Sequence, residues 1–136
     1  MAARQDAAMQ PLADFLARLR VPQTPVLVIR RAALEANLHA MQAACDAAGA
    51  RLRAHGKMHK CTALGRRQVE LGAIGLCCQT VGEAEAYAAA GIADLLVTAP
   101  VPPWGWPRLA ALAGQARIAA VVDSEQQLAA ASAAAV

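Results

Sequence analysis

Aromatic residues are almost missing from this chain: two tryptophans, one tyrosine and one phenylalanine in 136 residues. A core built with so few rings has to be closed by small aliphatic side chains, which favours alanine-rich helices packed close together. A strong charge of one sign is lacking too. Thirteen basic and ten acidic residues leave a formal net charge of +3, short of the clustered excess of a nucleic-acid binder, so no nucleic-acid partner is expected. No apolar run approaches the ~18 residues of a membrane-spanning helix. No secretory hydrophobic region opens the chain, and Asp6 and Asp14 speak against a transit peptide. No membrane partner is expected. Cys45, Cys61, Cys77 and Cys78 form no C-x-x-C pair. Reduced thiols and a cytoplasmic location follow as expectations.

What the chain does have is 57% hydrophobic residues, a globular composition with enough length for one domain. Residues 1–22 read as a leader ending in a short amphipathic helix, with Leu12, Phe15, Leu16 and Leu19 on one side. Residues 23–136 then alternate. Strands are expected at Val26–Ile29, Ala50–Arg53, Ile74–Cys78, Leu95–Thr98 and Ile118–Val122. Helices are expected at Ala32–Ala48, Thr62–Leu71, Glu83–Ala90, Pro107–Ala113 and Glu125–Ala135. Gly49, Gly72, Gly91 and Gly114 stand where left-handed helix ends are wanted. Thr80-x-x-Glu83 and Ser124-x-x-Gln127 read as capping boxes, and Pro107 suits a first helical turn.

A spacing of roughly 21 to 25 residues between strands is that of a βα unit. About five such units predict an α/β fold with parallel strands and right-handed crossovers. An open doubly wound sheet and the first part of an eight-unit barrel of ~250 residues both fit. The chain stops at "AAASAAAV", inside a helical pattern without a cap, and an incomplete (β/α)8 TIM-type barrel is the expectation.

In either architecture the chemistry gathers at the C-terminal strand ends. There the second strand runs into "LRAHGKMHKC". If that stretch stays extended, Arg53, His55, Lys57 and His59 share one face. A wholly basic face must be solvated or organised around an anion, a cofactor or a metal. His55, His59 and Cys61 make a poor metal set, with no acidic ligand nearby and His55 expected on a strand with Gly56 behind it. A nucleic-acid patch of Arg51, Arg53, Lys57, Lys60, Arg66 and Arg67 lacks interleaved aromatics and is balanced by Glu70. Two readings stay open: a solvated loop, or a reactive lysine at Lys57 whose neighbouring cations favour the neutral amine.

The ordered blocks "TPVLVI", "LEANLHAMQ", "LRAHGKMHK" and "LGAIGLCCQTVGEAEAYAAAGIADLLVTAPV" resemble fold-type III pyridoxal-phosphate-dependent enzymes. These are the alanine racemase-like barrels, and the likeness is nearest to the D-threonine aldolase and D-serine dehydratase branch. It runs from about Thr24 to Asp123 and makes residues 23–136 a partial barrel of that kind. It implies a lyase acting on β-hydroxy-D-amino acids, with pyridoxal 5'-phosphate as cofactor and a small D-amino acid as substrate. Lys57 matches the lysine that forms the Schiff base and acts at the substrate Cα; Lys60, the second lysine of the motif, is not given that role. The resemblance also implies His55 and His59 beside the cofactor, and Gln79 and Thr80 lining the same mouth. Glu83 and Glu85 are expected on a helix face. No metal ligand is assigned here; a divalent metal and a homodimer belong to a full-length form. Ala54 stands where the family usually has proline, and Arg30 and Arg31 where an acidic residue is common. The 136-residue chain alone is expected to bind the cofactor weakly and not to turn over substrate. The alternatives are a racemase of the same fold, a non-catalytic cofactor-binding barrel and, in another class, a free-standing five-stranded α/β binding domain.

Overall fold

The structure is a computed structural model that describes residues 27–135 together with Ala17, Arg18 and Pro25. The chain divides into two compact units, Met1–Arg31 and Ala32–Val136. The leader helix expected on Leu12, Phe15, Leu16 and Leu19 lies outside the described residues. Val26 does too, and Leu27–Arg30 forms no strand among the described residues, a correction to the first expected strand. A strand is made by its ladder, and β-propensity without a partner leaves irregular chain.

In the second unit the alternation is realised. Helix α1 (Arg31–Ala47) is followed by β1 (Arg53–Ala54), a single-turn helix α2 (Gly56–His59), α3 (Thr62–Glu70) and β2 (Gly75–Cys78). Then come α4 (Val81–Ala89), β3 (Asp94–Val97), a 3-10 turn (Pro103–Gly105), α5 (Trp106–Leu112), β4 (Arg117–Ala120) and α6 (Glu125–Ala134). The four strands are parallel and lie in the order β1-β2-β3-β4. Sequential order with one crossover sense is the winding of a barrel; a doubly wound sheet would reverse at a switch point. The free-standing doubly wound domain is therefore set aside.

Glycine shapes three of the helix ends. Gly49, Gly72 and Gly91 have φ of 63°, 122° and 83°. Just past each, an amide turns back to a carbonyl five residues earlier: Ala50 to Cys45, Ala73 to Gln68 and Ile92 to Tyr87. Gly114 does not follow the pattern. There the Leu112 carbonyl accepts from Gln115 and Ala116, so α5 unwinds in right-handed turns.

Burial separates the two sheet faces. Leu76, Cys78, Leu95 and Val97 pack with Val81, Ala84, Tyr87, Ile92, Val101, Trp106, Leu109 and Leu112 in one core. Each fully buried leucine contributes about 2 kcal/mol against exposure. The alternate residues face away from these helices. Their first row is Arg53, Gly75, Asp94 and Arg117, where Asp94 accepts from Arg53 at 2.8 Å and Arg117 at 3.1 Å. Gly75 makes room for that crossing: a Cβ there would stand 2.8 Å from Asp94 Cβ and collide with the Asp94 carbonyl.

Two outcomes follow. Gly75→Ala should destabilise the chain by about 3 kcal/mol in urea unfolding, because backbone and not a flexible tip is in the way. Arg53, and then Arg117, hold the Asp94 carboxyl below its ordinary 3.8. A depressed carboxylate stabilises above the unfolded value and loses that contribution as pH falls through the folded one. The urea midpoint should therefore fall with pH below about 4, and Asp94→Asn should flatten that limb.

Candidate active site

The strand ends bring three side chains to one point. The ladder runs on past β2 and β3, with Thr98 N–H on the Cys78 carbonyl at 2.9 Å and Val121 N–H on the Val97 carbonyl at 3.0 Å. Two residues above Cys77 and Leu96 on the same face stand Gln79 and Thr98. Lys57 arrives over them from α2. Its Nζ donates to Gln79 Oε1 at 2.9 Å and to Thr98 Oγ1 at 3.2 Å. All three residues are partly buried.

The hydrogen bonds around this point have a fixed direction. Thr98 donates its own hydroxyl hydrogen to the Cys78 carbonyl at 3.0 Å, so its oxygen is left as an acceptor for Lys57 and for the Cys77 thiol at 3.5 Å. Gln79 is steadied from below: its backbone N–H donates to Glu83 Oε2 at 2.7 Å. Glu83 Oε1 pairs with Lys60 Nζ at 3.2 Å. Cys77 and Cys78 point to opposite faces, and burial, then Glu83, pushes the Cys78 thiol up to about 12. Cys78 is a packing residue.

The extended reading of the basic stretch is overturned. After Ala54 the chain turns into α2 and closes with Lys60 in the left-handed region at φ 50°. The basic side chains disperse as a result. Arg53 goes to Asp94 and Lys60 to Glu83, so carboxylates take up the cations expected beside Lys57. His59 turns towards α3, accepting the Cys61 N–H on Nδ1 at 3.1 Å, which leaves Nε2 to donate to Gln68 Oε1 at 3.1 Å. It is not brought to the Lys57 amine. His55 is exposed at the N-terminus of α2. Thr80 caps α4 as expected, its Oγ1 accepting from Glu83 N at 3.3 Å. The reciprocal bond goes to Gln79 N instead of Thr80 N, so the capping box is half made. Ser124 caps α6 in the same one-sided way, accepting from Gln127 N at 3.3 Å.

Thr98 was not singled out by sequence reasoning, although as the last residue of an expected strand it stood where functional groups gather. Tyr87, whose hydroxyl donates to the Gly56 carbonyl at 2.8 Å, had no signal beyond being the chain's one tyrosine. Glu85 lies on a helix face, ion-paired with Arg108. Among the described residues no three His, Cys, Asp or Glu side chains are placed to share a metal ion. No helix among them is long and apolar enough to cross a membrane. A groove of about 620 Å³ between α5, β4 and α6 is lined by Trp106, Leu109, Ile118, Val122, Leu128 and small alanines. It is apolar and has no convergent polar groups, unlike the Lys57 cluster.

A parallel sheet wound as a barrel, with a lysine at the C-terminal edge of its first strand, defines a class that comparison makes explicit. Residues 29–136 match the alanine racemase, N-terminal domain family, and the chain belongs to it. It is similar to a D-threonine aldolase of Arthrobacter sp, 45% identical over 116 residues that make up 85% of this chain and 30% of that protein. A 3-hydroxy-D-aspartate aldolase of Paracoccus denitrificans is 46% identical over 116 residues, 83% of this chain and 30% of the relative. The crystal structure of D-threonine aldolase from Filomicrobium marinum superposes with a TM-score of 0.80 at 40% identity, over 83% of this chain and 31% of that one. The chain thus spans about 30% of the length of the relatives it matches.

Thr98→Val keeps the shape and removes the acceptor. It should cost about 1 kcal/mol in urea unfolding, because the Cys78 carbonyl loses its hydroxyl donor and keeps the backbone N–H of residue 98, and Thr98→Ser should recover most of that.

Proposed function

We propose that this chain supplies the Lys57-bearing N-terminal part of a pyridoxal-phosphate-dependent lyase acting on β-hydroxy-D-amino acids. The observation that carries the reading is the setting of the Lys57 amine. It lies at the C-terminal edge of the sheet and is held by two neutral acceptors, Gln79 Oε1 and Thr98 Oγ1. No carboxylate pairs with it among the described residues. An ion-paired lysine is a fixed cation, whereas one held by neutral acceptors presents a nucleophile once a proton leaves. That donor set fits the aldehyde end of the cofactor.

The substrate class rests on the relatives, whose names specify D-threonine and 3-hydroxy-D-aspartate. Both are β-hydroxy-D-amino acids. When bound, pyridoxal phosphate supplies an electron sink for the pair released at the substrate Cα. This chain's residues do the positioning. Gln79 and Thr98 take two of the Lys57 hydrogens, which aims the remaining position of the nitrogen out of the sheet edge. From there Lys57 Nζ can take or return a proton at Cα. Glu83 fixes the backbone of Gln79 and ties up Lys60, which keeps the second ammonium away from the reacting amine. Gln79, Thr80 and the exposed His55 form the rim we assign to the cofactor. His59, engaged on Gln68 and the Cys61 amide, acts by holding the turn. Four free cysteines suit a reducing compartment, and we place the protein in the cytoplasm.

The test is covalent. Incubating the chain with pyridoxal phosphate, reducing with borohydride and mapping the label should place it on Lys57 in clear excess over Lys60. Lys57→Ala should abolish that excess. Equal labelling of the two lysines would sink the reading.

A further inference from the structure

We infer that Tyr87 is a positioning residue for Lys57, acting through the carbonyl of Gly56. This rests on the function proposed for Lys57 and extends it to a residue buried in the core. Tyr87 is 2% exposed, in the core of α4, yet its hydroxyl leaves the apolar cluster and donates to Gly56 O at 2.8 Å across 31 positions of sequence. The same oxygen accepts the Lys60 amide at 2.9 Å. Two donors from different directions fill both lone pairs and fix the peptide plane that joins Gly56 to Lys57.

The slot around the ring is specific. A Cβ on Gly56 would lie 2.9 Å from the phenol oxygen and 3.0 Å from Cε2 and Cζ. A Cβ on Gly65 would come within 3.1 Å of Cε1. The His59 ring meets Tyr87 edge-on at 6.5 Å. Two glycines and an imidazole thus surround one tyrosine beneath the lysine turn. Within its own backbone that turn has little to hold it. It is four residues long, closed by one i to i+4 bond, and it carries Lys60 at φ 50°, a region costly for a residue with a Cβ. An apolar residue would fill the core equally well. The hydroxyl is what ties the core to the backbone of the reactive lysine.

The chain has one tyrosine and only two lysines, Lys57 and Lys60, so the experiment is internally controlled. Borohydride-fixed pyridoxyl label is quantified on both lysines from pH 6 to pH 11 in the 136-residue chain. Tyr87→Phe should lower the Lys57-to-Lys60 labelling ratio about tenfold, the scale of a sub-ångström misplacement. It should also draw the Lys57 pH–rate profile towards that of Lys60. Ile92→Val, which loosens the same slot without touching Gly56, should leave ratio and profile unchanged at a matched loss of stability. A second route keeps every side chain: replacing tyrosine biosynthetically with 3-fluorotyrosine, whose phenol ionises at lower pH. An ionised phenol no longer donates to Gly56 O, so Lys57 labelling should fall as the Tyr87 phenol, which burial holds above its ordinary 10.0, ionises, and with fluorotyrosine that fall should move to lower pH. An unchanged ratio in Tyr87→Phe, an unmoved fall with fluorotyrosine, or an equal effect of Ile92→Val would each overturn the inference while leaving Lys57 as the labelled residue. Wild-type chain without Lys57 preference would instead overturn the function proposed for Lys57 and this inference with it.

Discussion

Because β2 and β3 pair in parallel with Leu76 opposite Leu95, each residue one step along the strands points the other way, in step across the sheet. That register assigns every role in the unit. Leu76, Cys78, Leu95 and Val97 are committed to the helices. Gly75 and Asp94, Cys77 and Leu96, and then Gln79 and Thr98 form successive rows on the other face. A slip of one residue would turn the acceptors into the core and the leucines out. The apolar burial that stabilises the sheet therefore also holds two neutral oxygens in reach of Lys57, and the chemistry adds no register requirement of its own.

Lys57 itself does not come from a strand. Its place depends on a turn that local propensity alone would not form, since a four-residue helix ending in a left-handed lysine is unfavourable in isolation. Tertiary contacts make it. The Tyr87 hydroxyl holds Gly56 O, Glu83 holds Lys60, and Gln68 with the Cys61 amide holds His59. Each basic residue of "HGKMHK" except the exposed His55 has an acceptor, and among them Lys57 is the one whose acceptors are both neutral side chains on neighbouring strand ends. The separation of an amine held by neutral acceptors from an ion-paired ammonium is an outcome of partner choice within four residues.

How much of this the sequence discloses differs by element. Helix and strand alternation was legible because burial on one face leaves a periodic record; α3 and α6 begin where Thr62 and Glu125 stand. Gln79 was legible as a strand-end residue. The turn at Gly56 was not, because one of the contacts that hold it comes from 31 residues away, from a tyrosine that looks like any other helix residue. Thr98 was passed over for the opposite reason: it sits in an apolar strand pattern, and only the register shows that its hydroxyl faces Lys57. The fate of Arg53 was hidden as well, since its pairing with Asp94 depends on a glycine in the strand between them.

That last case shows how the two ends of the non-helical face differ in kind. At its N-terminal end Asp94 binds two arginines, one of them well shielded, and the missing side chain of Gly75 allows the carboxylate to be shared. Charges there are matched and held, which suits a part that need only stay folded. At the C-terminal end, two rows up, the fixed charges are moved to the side: Glu83 and Lys60 neutralise each other beside Gln79 rather than beneath the Lys57 amine. A carboxylate in the position of Gln79 Oε1 would satisfy Lys57 at least as well and would fold at least as readily. The neutral amide at that point is thus better explained by the role proposed for Lys57 than by what the fold requires.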